Sequence, residues 1–228
     1  MKFFLWQDVY MDFEAILQND VVQFLYFLGA LLVTLTVHEA SHALVAYYLG
    51  DHTAKLEGRL SLNPVRHLDF VGSILFLVTQ RIGWGKPVPV NPANFKRPVR
   101  DSALTALAGP MSNFIFAFLL ALPLKYLNDF MPETVKLFLW TIFHVNIFLG
   151  VFNLFPFPPL DGSKIVGLFV PRRWYRVYAK YLDQGFKYFV ALILIDVFIL
   201  PDLIGFSLFG YVIRYLHDLV SLILFLGV

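Results

Sequence analysis

The chain has 228 residues, of which 58% are hydrophobic, 18% aromatic and only 15% charged, with a net charge of +2. A soluble domain averages about 25% charged residues, and 25 phenylalanines cannot all hide in one core of this size, so the composition predicts an all-α polytopic membrane bundle. No basic run points to nucleic acid, and the absence of cysteine excludes both disulfides and a Cys-ligated metal.

In chain order, residues 1–20 mix aromatics with Asp8, Asp12, Glu14 and Asp20. Acids before the first apolar run argue against a secretory signal, and the segment reads as an amphipathic interfacial helix. Residues 21–228 read as one transmembrane domain. Five strongly apolar segments follow, at about 21–49, 102–127, 134–156, 186–200 and 203–228, which predicts about five spanning helices. A sixth, 68–80, is too short to span and reads as re-entrant. The stretch 84–91, Trp-Gly-Lys-Pro-Val-Pro-Val-Asn, alternates and carries two prolines, as an edge strand does. It predicts a small β element beside the site, with 53–62 as its partner strand, able to pair with an unwound substrate. A plain surface loop is the competing reading.

Charge sets the topology. Lys55, Arg59 and Arg66 precede segment 68–80, and Arg81, Lys86, Lys96, Arg97 and Arg100 follow it. Both loops belong on the cytoplasmic side, which they can share only if 68–80 enters and returns. The turn near 128–133 and the N-terminus then face outside, and the basic stretch 164–187 faces the cytoplasm.

One motif interrupts the first span. Apart from His38-Glu39-Ala40-Ser41-His42, the stretch from Val21 to Leu49 holds no charged residue. HExxH places two imidazoles at i and i+4 on one helix face, where both can bind one zinc, with the glutamate beside them as general base on water. Histidines that merely pack helices are the bland alternative, but ionisable residues inside a span are costly and mark function. His38 lies about 12 residues before the helix end, roughly 15–18 Å deep at 1.5 Å per residue.

A catalytic zinc takes three protein ligands and keeps one open position. The remaining candidates at membrane depth or edge are His67, Asp69, His144, Asp161, Asp196 and His217 with Asp218. Asp161 stands out by context, because Pro156, Pro158 and Pro159 unwind the backbone before it, and irregular backbone at such depth lines a cavity or is buried in protein. A simple exit turn with Asp161 capping the next helix fits the same residues. His67 reads as an interfacial histidine or a neighbour of the zinc site. Gly109-Pro110 and Ser112-Asn113 read as close helix packing. His144 and His217 suggest no role.

HEASH followed by Asn153-Leu-Phe-Pro-Phe-Pro-Pro-Leu-Asp161-Gly162 resembles the site-2 protease family of intramembrane zinc metalloproteases, in the compact branch without PDZ or CBS domains. The likeness continues in Gly58-Arg-Leu-Ser-Leu-Asn-Pro-Val-Arg-His-Leu-Asp69, in Gly83-Trp-Gly-Lys-Pro-Val-Pro-Val-Asn91 and in Ala108-Gly-Pro-Met-Ser-Asn113, over about residues 21–200. The resemblance implies one zinc per chain, His38, His42 and Asp161 as its ligands, and Glu39 as general base. It also implies that Asn153 contacts the substrate or the oxyanion. The expected protein is a multi-pass enzyme of the cell membrane whose partners are the bilayer and a membrane-spanning or membrane-associated protein substrate. A catalytically inactive zinc-binding membrane protein or transporter is the alternative.

Overall fold

The computed structural model describes residues 21–79 and 85–226. The expected interfacial helix at 1–20 lies outside the described residues, as do Arg81 and Trp84. Helix α1 (Val21–Tyr48) has 28 residues, about 42 Å at 1.5 Å per residue, which exceeds a hydrocarbon core of about 30 Å. A short turn of helix, α2 (Thr53–Leu56), and α3 (Phe70–Thr79) follow. Helix α4 (Pro98–Tyr126) starts on a proline, whose missing N–H costs nothing at a helix's first turn. Asp101 reaches back to accept the Arg97 N–H at 2.9 Å. Helix α5 (Glu133–Leu154) ends where Pro156, Pro158 and Pro159 withdraw donors, and α6 (Asp161–Ile165) begins immediately after. Helices α7 (Tyr175–Phe198), α8 (Leu200–Ile204) and α9 (Leu208–Leu226) complete the chain.

Four of these helices, α1, α4, α5 and α9, are long and apolar enough to cross a membrane. The fifth expected span, 186–200, falls in the second half of α7, which begins at Tyr175. Asp183, Lys187 and Asp196 fall among its last eighteen residues, too many charges for a plain span.

Helix α4 is central, packed most extensively against α5 and α1. Small residues let these helices approach closely, with Ala30, Ala43, Ala46, Ala103, Ala117 and Ala121 completely buried. Between them lie Phe27, Leu120, Leu124, Ile142, Phe143 and Ile147. Asn146 Nδ2 donates across to Thr34 Oγ1 at 2.9 Å, tying α5 to α1.

Helix α3 has ten residues, about 15 Å of length, half of the hydrocarbon core. Leu68 and Gly85 form an antiparallel bridge, and the Lys86 N–H donates to the His67 carbonyl at 2.8 Å. Both ends of this excursion therefore meet on one face of the bundle, as its length predicts. The expected β element is reduced, among the described residues, to that single bridge. Its expected partner strand at 53–62 is not formed. Asp51 Oδ1 accepts from Thr53 N and Thr53 Oγ1 at 3.1 and 2.5 Å, which starts a helical turn there instead.

Candidate active site

Helix α1 presents His38 and His42 one turn apart, with their Nε2 atoms 3.0 Å from each other. Asp161, from the far end of the chain, places Oδ2 3.1 Å from His38 Nε2 and 3.2 Å from His42 Nε2. All three residues are buried. The unwound 155–160 segment brings the carboxylate there. Gly162 lies against the end of α5, where a Cβ would come within 2.5 Å of the Leu154 carbonyl carbon. Asp161 is itself the first residue of α6 and its side chain caps nothing, so the exit-turn reading does not describe it.

The opposite edge of each imidazole faces α4. His38 Nδ1 donates to Asn113 Oδ1 at 2.8 Å, and His42 Nδ1 donates to the Thr105 carbonyl at 2.7 Å. With both Nδ1 atoms committed as donors, both Nε2 atoms turn a lone pair toward Asp161. Three acceptors thus stand within 3.2 Å of one another, an arrangement that a cation between them satisfies. Two ligands of a tetrahedral zinc at about 2.0–2.1 Å lie about 3.3–3.4 Å apart, close to the spacing found. Among the described residues these three form the one group of histidines and acids able to hold a metal.

Thr105, Gly109 and Asn113 lie at i, i+4 and i+8 on α4, the same step as His38 and His42 on α1. Gly109 sits between the two acceptors. A Cβ there would stand 2.6 Å from His38 Nε2 and closer still to His42 Nε2, so glycine keeps the space beside the two imidazole nitrogens open. The sequence signal for this face was the shared four-residue step, and packing alone was expected of it.

Glu39 is half-buried on the adjoining face of α1, and its Oε2 accepts the Val88 N–H at 3.0 Å. Asn153, near the end of α5, donates to the Leu149 carbonyl at 3.0 Å, a bond within its own helix that does not join it to the cluster. The other candidates have duties elsewhere. His67 Nε2 bonds the Ser61 carbonyl at 2.8 Å, and Asp69 accepts the Gly72 N–H at the start of α3. Asp196 accepts the Phe209 N–H at the start of α9. His144 and His217 meet each other at 3.1 Å, and Asp218 lies 3.3 Å beyond His217.

A helical membrane bundle with a buried His-His-Asp cluster and an adjacent glutamate defines the class of membrane zinc metalloproteases. The comparisons agree. The model of peptidase family M50 matches residues 125–195. The "Putative zinc metalloprotease YwhC" of Bacillus subtilis is 43% identical over 155 residues, which cover 64% of this chain and 69% of that protein. The "Putative zinc metalloprotease Rip2" of Mycobacterium tuberculosis is 32% identical over 205 residues, 86% of this chain and 74% of that protein. No solved structure matches. The chain belongs to peptidase family M50, the site-2 protease family, and is a zinc metalloendopeptidase of the membrane.

Proposed function

We propose that this enzyme cleaves membrane-spanning or membrane-associated protein segments inside the bilayer, in regulated intramembrane proteolysis. His38, His42 and Asp161 hold the zinc, Glu39 is the general base, and Asn153 contacts the substrate backbone. The observation that carries the reading is depth. His38 lies ten residues, about 15 Å, from the end of α1 at Tyr48 and about 25 Å from its start at Val21. A helix of this length that spans the bilayer carries Glu39 at intramembrane depth, which supports the reading.

Zinc, when bound, acts as a Lewis acid and makes a water nucleophilic at neutral pH. Glu39 takes the proton of the attacking water and passes it to the leaving amine as the C–N bond breaks, so no proton is left over. The Nδ1 bonds to Asn113 and Thr105 keep both imidazoles from swinging away. A helical substrate hides its carbonyls in its own hydrogen bonds, so it must unwind locally before attack. The 85–90 segment, whose Val88 N–H already reaches Glu39, is a surface along which an unwound segment can lie.

The test uses a panel of single-span transmembrane peptides in detergent micelles, with products read by mass spectrometry. Wild type should cut within the apolar stretch. Glu39→Gln should keep one zinc per chain and lose cleavage by several orders of magnitude, because a carboxamide cannot take the proton. Comparable cleavage by Glu39→Gln would remove the assigned base. Cuts confined to the peptides' polar ends would mean that the enzyme is membrane-anchored but not intramembrane in its chemistry. Asp161→Ala should lose zinc while His144→Ala keeps it.

A further inference from the structure

Arg59 stands just after α2, outside the zinc cluster, and its side chain is only 3% exposed. Gly58, at φ +68°, turns the chain so that Arg59 points inward, and the Arg59 N–H closes the turn on the Ala54 carbonyl at 2.8 Å. Its Nη2 donates to the Lys86 carbonyl, while Nε and Nη1 are buried and have no partner among the described residues. A buried guanidinium with most of its donors idle is costly, so packing gives no reason for an arginine here. Burial pulls its pKa below the usual arginine range, and the negative charges of Glu39 and then Glu57 oppose that pull. Glu57 is exposed, which leaves Glu39 as the inner counter-charge.

Lys86 and Val88 connect the two. The Lys86 N–H is held by the His67 carbonyl at 2.8 Å and its carbonyl by Arg59. Two residues on, the Val88 N–H meets Glu39 Oε2 at 3.0 Å. Pro87 and Pro89 have no N–H, so Val88 is the sole backbone donor between residues 87 and 89. Its position along the chain is set by whatever fixes Lys86.

We propose that Arg59 is a positioning residue for Glu39: by gripping the Lys86 carbonyl, it fixes where the Val88 N–H meets the Glu39 carboxylate. The proposal rests on the reading of Glu39 as general base. A displacement of the order of 1 Å at a reacting group can cost as much as 100-fold in rate, so a device for holding this carboxylate is worth a buried charge.

The test compares zinc-loaded wild type, Arg59→Gln, Arg59→Lys, Val88→Pro and the double variant Arg59→Gln/Val88→Pro. Zinc content should stay at one per chain in all of them, since Arg59 touches no ligand. By hydrogen exchange, the Lys86 and Val88 amides should exchange about tenfold faster in Arg59→Gln. With the transmembrane peptides as probe, kcat in Arg59→Gln should fall about tenfold with KM within about twofold, and Arg59→Lys should recover part of the loss. Because Arg59 acts through Val88, the double variant should be no slower than Val88→Pro alone. A purely structural role would lower the zinc-loaded fraction and leave the two rate losses multiplicative. Unchanged exchange at Val88 in Arg59→Gln, or multiplicative losses, would overturn the proposal. If wild type cuts none of the peptides, the intramembrane reading fails, and the exchange result alone decides whether Arg59 holds the segment.

Discussion

Asn113 does for His38 what a backbone carbonyl does for His42. Each takes the Nδ1 proton and so leaves Nε2 as the atom able to bind metal. The carbonyl of Thr105 cannot be removed by substitution, but Asn113 can. Asn113→Leu, similar in volume and unable to accept, should weaken zinc binding by about 10–100-fold, measured by competition with a chromophoric chelator. Asn113→Asp, which accepts the same proton, should bind at least as tightly as wild type. Equal affinities in Leu and Asp variants would mean that Asn113 only fills space. HExxH announces its own chemistry, because spacing on one helix is a local property. Asn113 did not, because an asparagine in a span reads equally as packing until the fold shows which imidazole it faces.

At the scale of elements, the loop that carries Glu39's partner is pinned at both ends. Asp51, directly after α1, accepts from Asn91 N at 2.7 Å, Asn94 Nδ2 at 2.7 Å and Thr53 N at 3.1 Å. It thereby joins the end of the HExxH helix to the approach of α4. Burial alone raises the Asp51 pKa, but the bonds from Thr53, Asn94 and Asn91 outweigh it and the net shift is downward. A carboxyl held below its unfolded value adds stability above about pH 4. That stability drains away as pH falls from there through the lowered folded value. Asp51→Asn should therefore cost about 1–3 kcal/mol at pH 7. Its deficit against wild type should shrink as thermal unfolding is followed down to pH 3. A deficit independent of pH would mean that the charge of Asp51 is not what holds the loop. The same residue explains why a strand at 53–62 was misread. It was expected only as a partner for the alternating stretch 84–91, but Asp51 binds Thr53 two residues on and commits the backbone to a turn. For segment 68–80 the sequence reading rests on length, and the bridge between Leu68 and Gly85 agrees with an entry and return.

For the molecule as a whole, composition and apolar run lengths were enough to read a helical membrane bundle. They suggested about five spans, whereas four helices are long and apolar enough to cross, because the run at 186–200 falls in the second half of α7, a helix that carries Arg176, Lys180, Asp183, Lys187 and Asp196. Orientation remains a matter of charge bias and gives a direct prediction. The chain has no cysteine, so single cysteines at Lys55, Lys96 and Asp129 report cleanly. Positions 55 and 96 should label from the cytoplasmic side and 129 from the outer side. Labelling of 55 and 96 from opposite faces would show that 68–80 crosses the bilayer and would invert everything after it.

The separation of the cluster's members along the chain has a consequence for biogenesis. His38 and Asp161 touch across 123 residues of sequence, and Asn113 lies between them. While the protein is being made, α1 enters the membrane carrying His38, Glu39 and His42 but not Asp161, which leaves the proposed zinc site one ligand short. The helix that orients His38 arrives next, and the aspartate emerges only after α5 has been threaded. With the ligand set proposed above, the metal site is complete only when about two thirds of the chain has been synthesised.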